Sequence, residues 1–195
     1  MYSPQHLRDR LKPTLDAFPQ PMVSPDTRLA AVLVPVVAGG VASRVVFTKR
    51  TDRLSRHPGE ISFPGGLAEE GEDLTAAALR EVQEELGLAP SDVELIGVLP
   101  PVHTRVSGIL IVPFVGLLSK DPRFTPNAAE IADVLELPLA GLASAGAESA
   151  FEHEGQMFRT FLYEIDGRVI WGATARILRS LIDILQRGCS DGWEV

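Results

Sequence analysis

The chain has 195 residues, 45% hydrophobic and 23% charged, which excludes a disordered chain and leaves enough length for a sizeable core. A net charge of -8 excludes general nucleic-acid binding, because phosphate backbones recruit Lys and Arg. Cys189 is the single cysteine, so an intrachain disulfide and a cysteine zinc cluster are both excluded, and its thiol is expected to have no role.

The opening stretch MYSPQHLRDRLKP has no apolar core, so no secretory signal is expected. Apolar runs such as LAAVLVPVVAGGVA contain Pro and Gly and are too short to span a bilayer. These features predict a cytoplasmic protein with no membrane partner. Ser3-Pro4 starts a helix expected over about residues 4–17. Leu7, Leu11 and Leu15 recur on one face of it, and Pro13 disturbs it. QPMVSPDT reads as a loop. RLAAVLVPVV and SRVVFTKR read as two strands joined by AGGVA, and EISF as a short strand ending at Pro64. PGGLAEEGED, rich in Gly and acid, reads as a loop. A helix follows from Leu74 to Leu86, with Gly87 as its terminator.

DVELIGVL and GILIVPFVGLL are further strands, DPRFTPNAAE is a loop, IADVLELPL holds a strand, and AGLASAG is a short helical or loop segment. FRTFLYEIDGRVIWG reads as a hairpin around Asp166-Gly167. The last helix, about residues 173–187, aligns Ile177, Leu178, Leu181, Ile184 and Leu185 and ends at Gly188. Strands outnumber helices, which stand at the start, middle and end. The expected fold is α/β: a mixed sheet covered by helices, an αβα sandwich in one domain over residues 1–195.

The segment REVQEE, Arg80 to Glu85, is electrostatically costly. Like charges at i, i+4 on a helix cost roughly 0.2–0.5 kcal/mol per pair. On a wheel of about 100° per residue, Leu79, Val82 and Leu86 form the buried stripe. Glu81, Glu84 and Glu85 share an adjoining arc, so their carboxylates can converge on one point, with Arg80 at the far edge beyond Glu84. An acidic run is ordinarily a solvated face. Here no Lys stands at i+4, a Gly-rich loop precedes the face, and Glu69, Glu70, Glu72 and Asp73 add acid. A divalent cation relieves such crowding best. Hard oxygen donors without Cys or His point to Mg²⁺ or Mn²⁺, and no EF-hand loop is present.

GLAEEGEDLTAAALREVQEELGL, Gly66 to Leu88, resembles the Nudix box. Gly66, Glu72, Arg80, Glu81, Val82, Glu84, Glu85, Gly87 and Leu88 match it without a gap. The resemblance implies a Nudix hydrolase with an αβα sandwich fold, cleaving nucleoside diphosphates linked to another moiety with Mg²⁺ or Mn²⁺. It implies metal ligands at Glu81, Glu84 and Glu85, a backbone carbonyl from Gly66, and a structural ion pair between Glu72 and Arg80. It leaves the catalytic base open.

VVFTKRTDRLSRHPGEISFPGG, Val45 to Gly66, resembles the upstream signature of the coenzyme A pyrophosphatase branch. Thr48, Arg50, Gly59, Phe63, Pro64, Gly65 and Gly66 match in register. Val46-Phe47 replaces two leucines, Thr51 stands for Ser or Ala, and Ser55 stands where an arginine is expected, flanked by Arg53 and Arg56. NAAEIADVLELPL and IWGATARIL also look like parts of this branch. The implied substrate is a CoA-like small-molecule nucleotide, bound by Arg50, Arg53, Arg56, His57 and Phe63. Lys49, Arg50, Arg53, Arg56 and His57 form the densest basic segment of this acidic chain, as a substrate with a 3′-phosphate and a pyrophosphate requires.

His57 either orients a phosphate or caps its loop. His103 reads as solvent-exposed. Glu130 is a candidate additional acid. Trp171 and Phe158 read as core residues rather than adenine stackers. The alternative substrates are ADP-ribose, NADH and dinucleoside polyphosphates. A non-catalytic nucleotide sensor of the same fold is the rival from another class. Oligomeric state stays open, a homodimer included.

Overall fold

The computed structural model describes residues 2–16, 27–39, 42–53, 57–104, 108–153 and 156–187. The chain runs α1 (Pro4–Asp16), β1 (Leu29–Val37), β2 (Arg44–Arg50), β3 (Ile61–Ser62), β4 (Gly65–Leu67), α2 (Leu74–Leu86), β5 (Val93–Val98), β6 (Val102–His103) and β7 (Leu110–Leu118). It continues through β8 (Ile131–Pro138), α3 (Leu139–Ala145), β9 (Gly146–His153), β10 (Gln156–Ile165), β11 (Arg168–Ile170) and α4 (Gly172–Gln186).

The large sheet has the order β3-β2-β1-β7-β5, with β4 added to β1, β6 to β7 and β8 to β2. It is mixed: β1 and β7 run parallel from Leu29↔Leu110 to Val37↔Leu118, and its other pairs are antiparallel. β1 is apolar along its whole length because both faces are covered. Val32, Val34 and Val36 face a core shared with α1 and α4. Ala31, Leu33 and Val37 face a core shared with α2. Pro35 is tolerated inside this central strand because β4 pairs only up to Val32 and β2 only from Val36. Its missing N–H falls between the two partners.

Several elements differ from the sequence expectation. Gly65–Leu67, read as loop, is a strand on β1. Gly65 adopts φ 149°, and a Cβ there would lie 2.6 Å from the Val32 Cα, so only glycine permits the approach. β9 was absent from the sequence reading, because GAESAFEH has no β-branched residue. It pairs with β10, and β11-β10-β9 form a second, three-stranded sheet instead of joining one mixed sheet. The β10–β11 turn does form at Asp166-Gly167, with φ 50° and 71° at the two residues. α1 continues through Pro13 to Asp16. On α4, Ile182 is buried and Ile184 is only half-buried. On α2, the buried apolar residues are Leu74, Ala77, Ala78, Val82 and Leu86, while Leu79 is half-buried.

Candidate functional site

α2 is fixed at both ends. The Asp73 carboxylate accepts from the Thr75 and Ala76 N–H groups at 2.9 and 3.1 Å. Gly87, left-handed at φ 68°, donates its N–H to the Gln83 carbonyl at 3.0 Å. Between these caps the acidic face meets β4.

Arg80 is the hub of that face. Its Nε and Nη2 donate to the two Glu72 carboxylate oxygens at 2.9 and 3.1 Å. Its Nη1 donates to Glu81 at 2.8 Å and to Glu84 at 3.3 Å, and Nη2 also reaches the Leu67 carbonyl at 3.3 Å. The sequence placed Arg80 at the far edge of the acids, with Glu72 alone. The structure adds Glu81 and Glu84, because the long side chain turns back over its own helical turn. Arg80 holds the Glu72 carboxyl below its usual range, helped by the Glu69 N–H, and the carboxylates push the Arg80 guanidinium up.

Glu81 and Gly66 are in close contact. A Cβ on Gly66 would lie 2.5–2.7 Å from the Glu81 carboxylate atoms. Glu85 is buried, 6% exposed, and accepts from the Gly65 N–H at 3.3 Å. Burial pushes its carboxyl up to about 7. The Gly65 N–H opposes this, Glu81 adds to it, Arg50 opposes it and Glu130 adds to it. Glu84, by contrast, is 59% exposed. Among the described residues no three His, Cys, Asp or Glu side chains surround one point. Arg80 draws Glu81 and Glu84, while Glu85 turns inward beneath β4. Their donor set is nonetheless all hard oxygen, beside a glycine whose missing Cβ leaves the space. It suits a divalent cation, which would offset the repulsion around Glu85.

The upstream residues divide. Arg50 ends β2 with its Nε buried and without a hydrogen-bond partner among the described residues, close enough to Glu85 to stabilise its ionised form. Glu130 enters the same field. The Thr51 N–H donates to its carbonyl at 2.8 Å, and its carboxylate accepts from Asn127 at 3.4 Å. Arg53 is exposed. His57 is left-handed at φ 55° and pairs with Glu60 at 2.8 Å, so within the described residues it ties its own loop. Arg56 lies outside the described residues.

Phe63 is a correction: it is buried, 4% exposed, and stacks on Phe47 with centroids 4.8 Å apart, so it belongs to the core and not to a substrate surface. Trp171 is the opposite correction, 51% exposed where core was expected, because it precedes α4 at the end of an edge strand. The side chain of Phe158 lies outside the described set. His103 is exposed as expected. The sequence reading missed Glu60 and the Leu67 carbonyl as partners. A carbonyl carries no sequence signal, and Glu60 was readable only as an acid three residues from His57.

The NUDIX domain family model matches residues 27–156. A relative named Nudix hydrolase NudL, itself described as uncharacterized, from Citrobacter koseri is 38% identical over 168 residues, covering 83% of this chain and 86% of the relative. The protein of the same name from Pectobacterium atrosepticum is 37% identical over 157 residues, covering 79% and 81%. A C. elegans Ap4A hydrolase structure aligns with TM-score 0.51 at 17% identity, over 58% of this chain and 82% of that one. A MutT/nudix family protein from Enterococcus faecalis aligns with TM-score 0.51 at 15% identity, over 88% and 64%. The structural likenesses concern the fold.

Proposed function

The chain belongs to the Nudix family, whose hydrolases act on pyrophosphate bonds, and from that premise we propose that its substrate is coenzyme A or a CoA derivative. The products are 3′,5′-ADP and 4′-phosphopantetheine, or the acylated form of the latter. One observation carries the substrate choice. The stretch matching the CoA branch, from Thr48 to Gly66, precedes α2 and carries Arg50, whose buried Nε has no hydrogen-bond partner among the described residues and whose charge acts on Glu85.

Nudix hydrolases use a divalent metal ion such as Mg²⁺ or Mn²⁺. When bound, it neutralises pyrophosphate oxygens and makes water a better nucleophile. In this reading Glu81, Glu84, Glu85 and the Gly66 carbonyl hold it. Arg80 and Glu72 keep loop and helix in register, so the ligands stay placed. Arg50 and Arg53 attract the substrate's phosphates, and Arg56 serves the same end. In the same reading Glu84 and Glu81 orient the attacking water. Water adds to one phosphorus, and the bridging oxygen leaves with the other and takes up a proton. No helix among the described residues is long and apolar enough to cross a membrane, and the proposed place of action is the cytoplasm.

Incubation with CoA and Mg²⁺, with products resolved by chromatography, tests the proposal. Release of 3′,5′-ADP supports it. No CoA cleavage together with good turnover of ADP-ribose, NADH or a dinucleoside polyphosphate sinks it.

A further inference from the structure

The open end of the β2–β3 ladder holds a charge arrangement that the metal site does not use. Thr48 pairs with Ser62 and Lys49 with Ile61, and the Arg50 N–H then donates to the Glu60 carbonyl at 3.0 Å. Arg50 and Glu60 are therefore direct cross-strand neighbours. Side chains alternate along both strands. Ile61 faces the core shared with α1 and α4, so Ser62 and Glu60 face the other way. Val46 faces the α2 core, and Thr48 and Arg50 follow it to that face, with the Thr48 and Ser62 hydroxyls 3.3 Å apart. Glu60 and Arg50 thus stand on the α2 face of the sheet, where the Arg50 charge also acts on Glu85.

A carboxylate opposite a guanidinium ordinarily forms an ion pair, and such cross-strand pairs are favourable. Among the described residues no ion pair joins Arg50 to Glu60. The Glu60 carboxylate lies instead 2.8 Å from the His57 Nδ1, a distance that needs a proton on that nitrogen. The Arg50 Nε stays buried without a hydrogen-bond partner among the described residues. Drawing Glu60 aside has a conformational cost. His57 adopts φ 55°, a left-handed backbone uncommon outside glycine. Gly59 is also left-handed at φ 68°, and a Cβ there would lie 2.9 Å from an Asp52 carboxylate oxygen, so the turn closes tightly. Strain of this kind persists where the surrounding contacts fix it, and it gathers at functional sites. His57 is exposed, and an exposed ion pair adds little stability, so stability alone does not account for the arrangement.

We propose that His57 is a positioning residue that holds the Glu60 carboxylate away from Arg50 and leaves that guanidinium open to a substrate phosphate. The role rests on the reading of Arg50 as a phosphate ligand. His57 itself touches no substrate in this arrangement. Without its imidazole, Glu60 turns across the strand pair, fills the Arg50 fork and competes with the phosphate.

The test is calorimetric titration in Mg²⁺ buffer with α,β-methylene-ADP, a nucleoside diphosphate with an uncleavable bridge. Wild type is compared with Arg50→Ala, His57→Gly, Glu60→Gln and the double variant His57→Gly/Glu60→Gln, each checked for folding by thermal denaturation. Glycine keeps the left-handed turn without strain, so His57→Gly removes the imidazole and spares the backbone. Arg50→Ala and His57→Gly are each expected to weaken binding about tenfold. Glu60→Gln should bind at least as tightly as wild type. The double variant should return to wild-type affinity, because a neutral amide competes poorly with a phosphate for Arg50. A double variant as weak as His57→Gly overturns the proposal, since a loop cap or a direct phosphate contact by His57 is lost in both. Unchanged binding in His57→Gly overturns it as well and leaves Arg50 in its role. Unchanged binding in Arg50→Ala removes Arg50 as a phosphate ligand, and the proposal falls with it. The choice of CoA as substrate is decided separately by its hydrolysis, which none of these outcomes requires.

Discussion

Gly66 and Glu81 occupy the same space in the sense that matters: the hydrogen on the glycine Cα stands where any other residue would put a carbon 2.5–2.7 Å from the Glu81 carboxylate. Gly66 has no left-handed φ that alanine would resist. Gly66→Ala therefore displaces a carboxylate without straining the backbone. The expected result is a fall in kcat of about 10²-fold, the cost of misplacing a group near the chemistry, with the melting temperature nearly unchanged. A melting temperature that falls with activity would show instead that the glycine is needed for folding.

Glu85→Gln should remove several kcal/mol of transition-state stabilisation, of the order that metal-assisted charge neutralisation supplies. Near-normal turnover in that variant would refute the metal assignment. Mg²⁺ should raise the melting temperature of wild type and not that of the variant, since a ligand at about 100 times its Kd adds about 2.7 kcal/mol of stability.

The same residue sets a pH dependence in the metal-free protein. Burial raises its carboxyl from the ordinary 4.5 to about 7, so between those values the folded chain holds a proton that the unfolded chain releases. Stability from this group is present below about pH 4.5 and is lost as pH rises through about 7. The loss is on the order of 3 kcal/mol. Urea denaturation in EDTA across that range should show it, and Glu85→Gln should flatten the profile.

Arg80 and Glu72 should couple. Arg80 is 28% exposed and Glu72 17%, so their paired hydrogen bonds are partly shielded from water. Arg80→Ala is expected to cost about 1–3 kcal/mol by urea denaturation, because it leaves three carboxylates without their shared cation. A double-mutant cycle with Glu72→Gln should give an interaction of about 1–2 kcal/mol, and a cycle that closes to zero would place the stabilisation elsewhere.

Arg50 tests the substrate side. Arg50→Ala should raise KM for CoA about tenfold and change kcat less, since it removes a phosphate contact and no metal ligand. Equal losses in both parameters would mean that Arg50 acts mainly through the ionisation of Glu85.

What the sequence alone determined is local. The α2 helix, its Asp73 and Gly87 ends, the spacing of Glu81, Glu84 and Glu85, the Glu72–Arg80 pair and the Asp166-Gly167 turn depend on residues at most eight apart, and helical or hairpin geometry connects such residues directly. The basic segment before Gly66 was equally visible, although its members separate in the fold, with Arg50 buried at Nε, His57 tied to Glu60 and Phe63 stacked in the core. Tertiary structure alone decided which carboxylate is buried. Glu85 becomes the shifted one because packing beneath β4 buries it, while the Gly65 N–H and Arg50 oppose the shift and Glu130, from another element, adds to it. The same holds for the exposure of Trp171. These features rest on pairings between strands far apart in the chain, and solvation and electrostatics respond to that distance in space, which spacing along a sequence does not encode.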